Sequence, residues 1–279
     1  MIEPILSDDS LLADIEAAKS QPEALHVWWL GQSGFLLQHR GKHVLLDPYL
    51  SDSLTSKYAD SDKPHDRMTR IPVAPERLGF VDIVTSSHAH TDHLDPGTLG
   101  PLVATNPSLL MVVPEAARAV ARERTGLSRE QIVGMDEGAT AEMAGVRFTG
   151  VASAHEELQT DTDGHHKYLG YVIEFGPWRI YHSGDTLLYQ GLAEKLRPHQ
   201  VHLALLPING RVPARGVAGN LDGPEAARLA HAIGAGLVVP CHYEMFTFNT
   251  ASPDLFVAEA ERLGQPYRVL RVGERLTLE

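Results

Sequence analysis

The chain of 279 residues has a single cysteine, Cys241. That excludes an internal disulfide framework and any Cys-rich zinc module. No apolar run approaches the roughly 20 residues that a membrane helix needs, so no membrane span is expected. Basic residues are also scarce: 24 Lys and Arg stand against 36 Asp and Glu, a formal charge of −12. This balance argues against a general nucleic-acid binder, which neutralises phosphates with Lys and Arg, but leaves room for a local basic pocket. The first 20 residues are acidic and lack the basic region and apolar core of a secretion signal, which makes the cytoplasm the expected location. Histidine is plentiful instead. There are 15, and neutral imidazole is the commonest metal ligand.

Apolar periodicity divides the chain into alternating elements. Asp8, Asp9 and Ser10 precede Leu11, Leu12, Ile15 and Ala18, the pattern of a short amphipathic helix. The next stretch predicts strands at His26–Leu30, Gly34–His39 and Lys42–Asp47, with Arg40-Gly41 as a tight turn. Trp28 and Trp29 are adjacent on one strand and cannot both face one core, so one of them should meet a helix or a partner chain. Residues 51–75 read as a long loop. A buried strand at 81–87, a strand at Leu109–Val113 and a helix at Pro114–Arg124 follow. Further strands are expected near Ile132, at Ala141–Glu142 and at Val146–Ala152, then a hairpin over Gly170–Tyr181 turning at Gly176-Pro177. The last third predicts strands at Leu203–Pro207 and Leu237–Pro240 and helices at Pro224–Ile233 and Asp254–Leu263. With no repeat or linker, two β-rich halves with helices outside imply one layered α/β domain over residues 1–279, with a short N-terminal helical extension.

The densest polar cluster follows the strand at 81–87: His88-Ala89-His90-Thr91-Asp92-His93-Leu94-Asp95. A strand would send alternate side chains to opposite faces and a helix would spread them around its circumference, whereas a loop at a strand end can aim several at one point. Imidazoles mixed with a carboxylate suit zinc, manganese or iron better than calcium. Four potential ligands so close together favour two metals over one. Three more candidates stand at strand ends: His155, Asp185 and His242. Singly, each is an ordinary hydrogen bonder or turn former; together they complete a ligand set.

His-Ala-His-Thr-Asp-His resembles the HxHxDH signature of the metallo-β-lactamase superfamily. The order of His155, Asp185 and His242 matches it too, and the resemblance runs from Trp28-Trp29-Leu30-Gly31 through Leu46-Asp47-Pro48 to His242. Within that superfamily, WWLGQSGF, YHSGDT and LVVPCHYEMF are most similar to the ascorbate-6-phosphate lactonase group. The resemblance implies a four-layer αββα sandwich and two divalent transition metals per chain, Zn or Mn. It places His88, His90 and His155 on one metal and Asp92, His93 and His242 on the other, with Asp185 bridging. It also implies a homo-oligomer. The oxygen-reducing diiron branch carries Glu where this chain has His90, which disfavours an oxidoreductase.

Such a centre lowers the pKa of a shared water, and Asp92 is placed to orient that water and shuttle its proton as the catalytic carboxylate. Asp47 and Asp95 are candidates for orienting the ligand rings, with a turn-forming role as the alternative. Asn209, Arg211 and Arg215, with Asn220, lie in a Gly-rich loop suited to holding an anionic substrate group; a solvated loop is the alternative. Gln32-Ser33 and 67–70 are expected near the pocket. His165, His166 and Lys167 read as an exposed cluster, with a closing loop as the alternative. Cys241 reads as a core residue. The leading function is opening of a lactone or similar ester of a small sugar acid, phosphorylated in the most specific version, by metal-hydroxide attack. The alternatives are a phosphodiesterase and a catalytically silent metal-binding protein.

Overall fold

The computed structural model describes residues 1–279. Helix α1 (Asp8–Ala18) precedes the meander β1 (Leu25–Gly31), β2 (Gly34–His39) and β3 (Lys42–Leu46). Then come α2 (Ser53–Lys57), β4 (Ile83–Thr85), α3 (Pro96–Thr105), β5 (Leu110–Pro114), α4 (Arg118–Thr125) and β6 (Ile132–Met135). The second half runs through β7 (Thr140–Met143), β8 (Val146–Ala152), β9 (Leu169–Phe175), β10 (Trp178–His182), α5 (Leu192–Leu196) and β11 (Leu203–Pro207). It ends with α6 (Gly223–Ala232), β12 (Leu237–Cys241), α7 (Asp254–Leu263) and β13 (Arg275–Leu278). The strands form two mixed sheets, ordered β13-β1-β2-β3-β4-β5-β6 and β12-β11-β10-β9-β8-β7. Parallel pairing links β3 through β6 in one sheet and β10 through β12 in the other.

The period of two along β1 builds the layers. Leu25, Val27 and Trp29 point between the sheets, where they join Phe35, Phe148, Tyr171 and Ile180. Trp28 and Leu30 point the other way, onto Leu11 and Ile15 of α1 and Leu99 and Leu102 of α3. Both tryptophans are thus buried on opposite faces, and Trp28 Nε1 donates to Asp14 of α1 at 2.8 Å. On the far side, α6 packs onto β11 and β12 and α7 packs onto α6. The four-layer αββα arrangement expected from the sequence is the one observed. No helix is long and apolar enough to cross a membrane.

Several boundaries differ from expectation for local reasons. Residues 51–75 contain α2 rather than loop alone. The helix expected from Pro114 starts at Arg118, after a 3-10 turn at Glu115–Ala117. Helix α3 went unpredicted because Gly97, Gly100 and Pro101 weaken its propensity; the Asp95 cap and burial of Leu99 and Leu102 hold it. Strand β13 is only partly buried and gains its place by pairing with Leu25–Trp28.

Burial of charge-capable groups sets a pH limit on this fold. His43 on β3 is buried against Gln38 and Phe80. Burial pushes its imidazole down from 6.5 to about 4, against the opposing pull of Asp82. The unfolded chain takes up a proton between those values that the folded chain refuses. Stability should therefore fall as pH drops from about 6.5 to about 4 and level off below, by roughly 3 kcal/mol in all. Urea unfolding of the wild type and of His43→Gln across that window checks this; the variant should lose most of the slope attributed to His43, and an equal slope in both would contradict it.

Candidate metal centre

The site lies at the carboxyl ends of strands from both sheets. Strand β4 ends at Thr85, and the chain then turns sharply through residues 86–95. This turn is tied internally by the Leu94 amide donating to the His90 carbonyl at 2.8 Å and by the Ser86 hydroxyl donating to the His93 carbonyl. From outside, the Arg124 guanidinium donates to the carbonyls of Ala89 and Leu94 at 2.8 and 2.9 Å. The HxHxDH residues are thereby held on one rigid loop.

The other sheet supplies the remaining residues. His155 follows the end of β8, Asp185 lies three residues past β10, and His242 immediately follows β12. The structure brings all seven candidates together. The ligating atoms of His88, His90 and His155 lie within 4.8 Å of one another, and so do those of Asp92, His93 and His242. Asp185 sits between the groups: its Oδ1 is 3.4 Å from His93 Nε2, and its Oδ2 is 3.4 Å from His242 Nε2 and 3.9 Å from His155 Nε2.

Asp47 lies behind this cluster and organises it. It is fully buried at the end of β3. Its carboxylate accepts from the Ser87 amide at 3.0 Å, the Thr85 hydroxyl at 3.2 Å and the Ser87 hydroxyl. It also meets His93 Nδ1 at 2.7 Å, which holds a proton on Nδ1 and aims Nε2 at the cluster. The ligating atoms of Asp47, His88 and His93 also lie within 4.8 Å of one another, but these hydrogen bonds already engage both Asp47 oxygens. His155 is oriented similarly, with Nδ1 3.2 Å from the Gly219 carbonyl. Gly184, at φ +56°, lets the β10–Asp185 turn press against Ser87, where a Cβ would lie 2.3 Å from Ser87 Cβ.

The electrostatics suit a cation. Burial holds the His88 imidazole well below its ordinary value. Burial also opposes charging of His93, but Asp185 and Asp92 outweigh it and raise His93 well above normal. Burial works against ionised Asp185 too, and is outweighed by His242 and His93, which keep it well below the carboxylate range. His88 Nε2, His93 Nε2 and Asp185 Oδ1 are buried without hydrogen-bond partners. Unsatisfied buried acceptors are costly in combination. Mixed imidazole and carboxylate donors in one place fit divalent transition metals, so the residues present fit such a centre.

The sequence expectations for four residues are corrected. Asp95 does not touch the ligand rings; it caps α3, accepting from the Gly97 amide and from the hydroxyls of Ser51, Ser53 and Thr98. Arg211 pairs with Glu225 at 2.7 Å and is turned away from the cavity. Arg215 spends its guanidinium on the carbonyls of Asn209 and Thr250, while Asn209 is buried against Asn220 and Asn249. None of these four lines the cavity over the site. Arg67 and Arg70 likewise bond to Asp52, Glu3 and Asp8. His165 lies near Asp161 on the same loop, and His166 pairs with Asp136 just past β6, so the cluster's histidines are engaged by ordinary carboxylates. Cys241 is buried, as expected.

The cavity above the cluster has a volume of about 460 Å³. His90, Asp92, His155, Asp185 and His242 form its floor. Tyr58, Phe246 and Phe248 gather around His65 to form a wall, with Tyr58 stacked on His65 at 4.3 Å. Lys57 and Arg124 are the cations that line it. These wall residues were missed because they come from the segment read as loop and from the turns beyond His242, where no periodicity marks them.

The sequence profile of the beta-lactamase superfamily domain matches residues 42–243, which include Asp47 and all seven candidate ligands. The chain belongs to that superfamily, and its fold is the metallo-β-lactamase fold. It is similar to a UPF0173 metal-dependent hydrolase of Methanosarcina mazei, with 29% identity over 91% of this chain and 99% of the relative. A UPF0173 metal-dependent hydrolase of Aeropyrum pernix is 28% identical over 88% and 94% of the two chains. Among solved structures, a metallo hydrolase of Ignicoccus hospitalis superposes with a TM-score of 0.67 at 22% identity, covering 92% of this chain and 99% of that one. An isothiocyanate hydrolase from Delia radicum gut bacteria superposes with a TM-score of 0.70 at 20% identity, covering 90% and 98%.

Proposed function

We propose that this chain, a metal-dependent hydrolase of the metallo-β-lactamase superfamily, opens small esters or lactones at a dinuclear centre. The observation that carries the reading is the convergence of five imidazoles and two carboxylates in and directly beneath the floor of a partly apolar cavity, with orphaned buried polar atoms among them. His88, His90 and His155 would hold one ion, Asp92, His93 and His242 the other, with Asp185 shared. Divalent ions there supply a water of lowered pKa and polarise the substrate oxygen.

The chain's own residues do the rest. Asp92 sits on the cavity floor with Oδ2 toward His242 and His93, at 3.8 and 3.6 Å, where it can orient the attacking water and accept its proton. Tyr58, Phe246 and Phe248 bind the apolar body of the substrate and exclude water around it. Lys57 is positioned for an anionic group, as is the part of the Arg124 guanidinium beyond the Nη1 that holds the Ala89 and Leu94 carbonyls. The Asn209, Arg211 and Arg215 loop expected to hold an anionic substrate group does not line the wall, so the substrate class favoured is a compact ester or lactone with an apolar or planar portion.

A panel of lactones and aryl esters assayed beside bis(p-nitrophenyl) phosphate tests this. Turnover of carbonyl substrates is expected, with Phe246→Ala raising KM more than it lowers kcat. Turnover confined to the phosphodiester would replace this reading with a phosphodiesterase.

A further inference from the structure

The turn between β1 and β2 carries a side chain that neither the ligand signature nor the cavity wall includes. Gln32 is 1% exposed and adopts a left-handed backbone at φ +51°, a conformation that costs a non-glycine residue energy and persists only when its surroundings enforce it. Its carbonyl accepts from the His242 amide and from Trp29 Nε1, both at 3.0 Å, which fastens the turn to the residue that follows β12. Its side-chain amide reaches the same place from the other end. One amide atom, drawn as Nε2, lies 2.8 Å from Asp92 Oδ2 and 3.0 Å from His242 Nε2. The other, Oε1, is buried without a hydrogen-bond partner.

Those two distances are the spacing of neighbouring donor atoms around one small cation, because ligands held about 2.1 Å from an ion stand roughly 3 Å apart. The atoms met, Asp92 Oδ2 and His242 Nε2, belong to the second ligand group. An NH2 group has no lone pair to offer a cation. An amide oxygen does, and the two ends of a glutamine exchange places by half a turn about its last torsion. Turned that way, Oε1 leaves a position in which it has no donor and enters one where a cation supplies its partner.

We propose that Gln32 is an additional ligand of the second metal position, through its amide oxygen, beside Asp92, His93 and His242. The proposal rests on the dinuclear reading above. It gives the second position two imidazole nitrogens and oxygens from Asp92, Gln32 and the shared Asp185, a harder and more crowded set than the three-histidine first position.

Metal-stripped wild type, Gln32→Leu and Gln32→Glu should be titrated with Mn²⁺, with free ion counted by electron paramagnetic resonance. Wild type should take up two ions. Gln32→Leu, close in volume and without a donor, should bind the second at least tenfold more weakly. Gln32→Glu keeps an oxygen and loses the NH2, so it should hold both ions at least as tightly as wild type. Unchanged second-site affinity in Gln32→Leu overturns the assignment, and so does a loss in Gln32→Glu equal to that in Gln32→Leu, which would mean that the NH2 is what matters. Should Gln32→Leu not fold, a crystal structure of the Mn²⁺-loaded wild type decides: Oε1 within about 2.4 Å of the ion supports ligation, and a gap beyond about 3 Å removes it. A wild-type chain that takes up only one ion overturns the dinuclear reading itself; two ions with no effect of Gln32→Leu overturns this assignment alone.

Discussion

Asp185→Ala is expected to lower turnover of the best ester or lactone by about a thousandfold or more, the scale of losing several kcal/mol of charge stabilisation at a metal centre. The reason is its position. Asp185 reaches His93 and His242 at 3.4 Å and His155 at 3.9 Å, so one carboxylate serves both ligand groups. No neighbouring carboxylate replaces it: Asp92 faces only His93 and His242 among these, and Asp47 is held behind His93. Because Asp185 sits on a turn past β10 and not in a strand, its loss should leave the sandwich intact. Metal content, turnover and thermal unfolding measured together separate these effects. Full turnover with two ions bound would remove Asp185 from the centre.

The second large effect is expected from Asp47→Asn, an isosteric change that never touches the cavity. Asp47 accepts four hydrogen bonds in a fully buried position. The asparagine keeps one acceptor oxygen and turns the other into a donor, which then faces a hydroxyl, an amide or the His93 ring. Either the Ser87 turn or the His93 tautomer is disturbed. Metal affinity should fall about 10–100-fold, the usual cost of removing such a supporting contact, and stability should fall by roughly 1–3 kcal/mol for the unpaired donor. Isothermal titration with Zn²⁺ and denaturant unfolding read the two quantities. Unchanged metal affinity would show that Asp47 is only a structural link between β3 and β4.

The contrast between Asp47 and Asp95 shows what a sequence can carry. Asp95 follows the motif and Asp47 stands far upstream, just after β3, yet both are carboxylates beside a turn. Only three-dimensional placement separates the one that orients His93 from the one that caps α3. Strands β1 and β2 were legible as apolar runs bounded by turn residues and β8 by the alternation of Val146 and Phe148 with Arg147 and Thr149, and the motif was legible because so many imidazoles fall within six positions. Helix α3 was not, since its glycines and proline contradict its conformation and tertiary burial decides it. The substrate wall was not legible either. Tyr58, His65, Phe246 and Phe248 are far apart in sequence and meet only when the two sheets bring their loops together.

The histidines make the same point. His26, His39 and His43 are as buried as the candidate ligands. Each has a ring nitrogen on an ordinary protein partner: Thr277 and the Gln21 carbonyl for His26, the Ala24 carbonyl for His39, and Gln38 for His43; His39 Nε2 is unpartnered, but it lies against Gly176 outside any group of ligating atoms. His88 and His93 instead leave Nε2 unpartnered and turned toward one another's neighbours. Burial alone marks a core histidine; burial with convergent, unsatisfied nitrogens marks a metal site.

The central claim is that these residues hold a pair of ions. Elemental analysis by mass spectrometry, on protein purified without chelator and reloaded with Zn²⁺ or Mn²⁺, tests it most directly. The account predicts close to two transition-metal ions per chain, falling below two in His90→Ala and Asp185→Ala. Protein that holds no ion, or that binds as many in those variants as in the wild type, would contradict it.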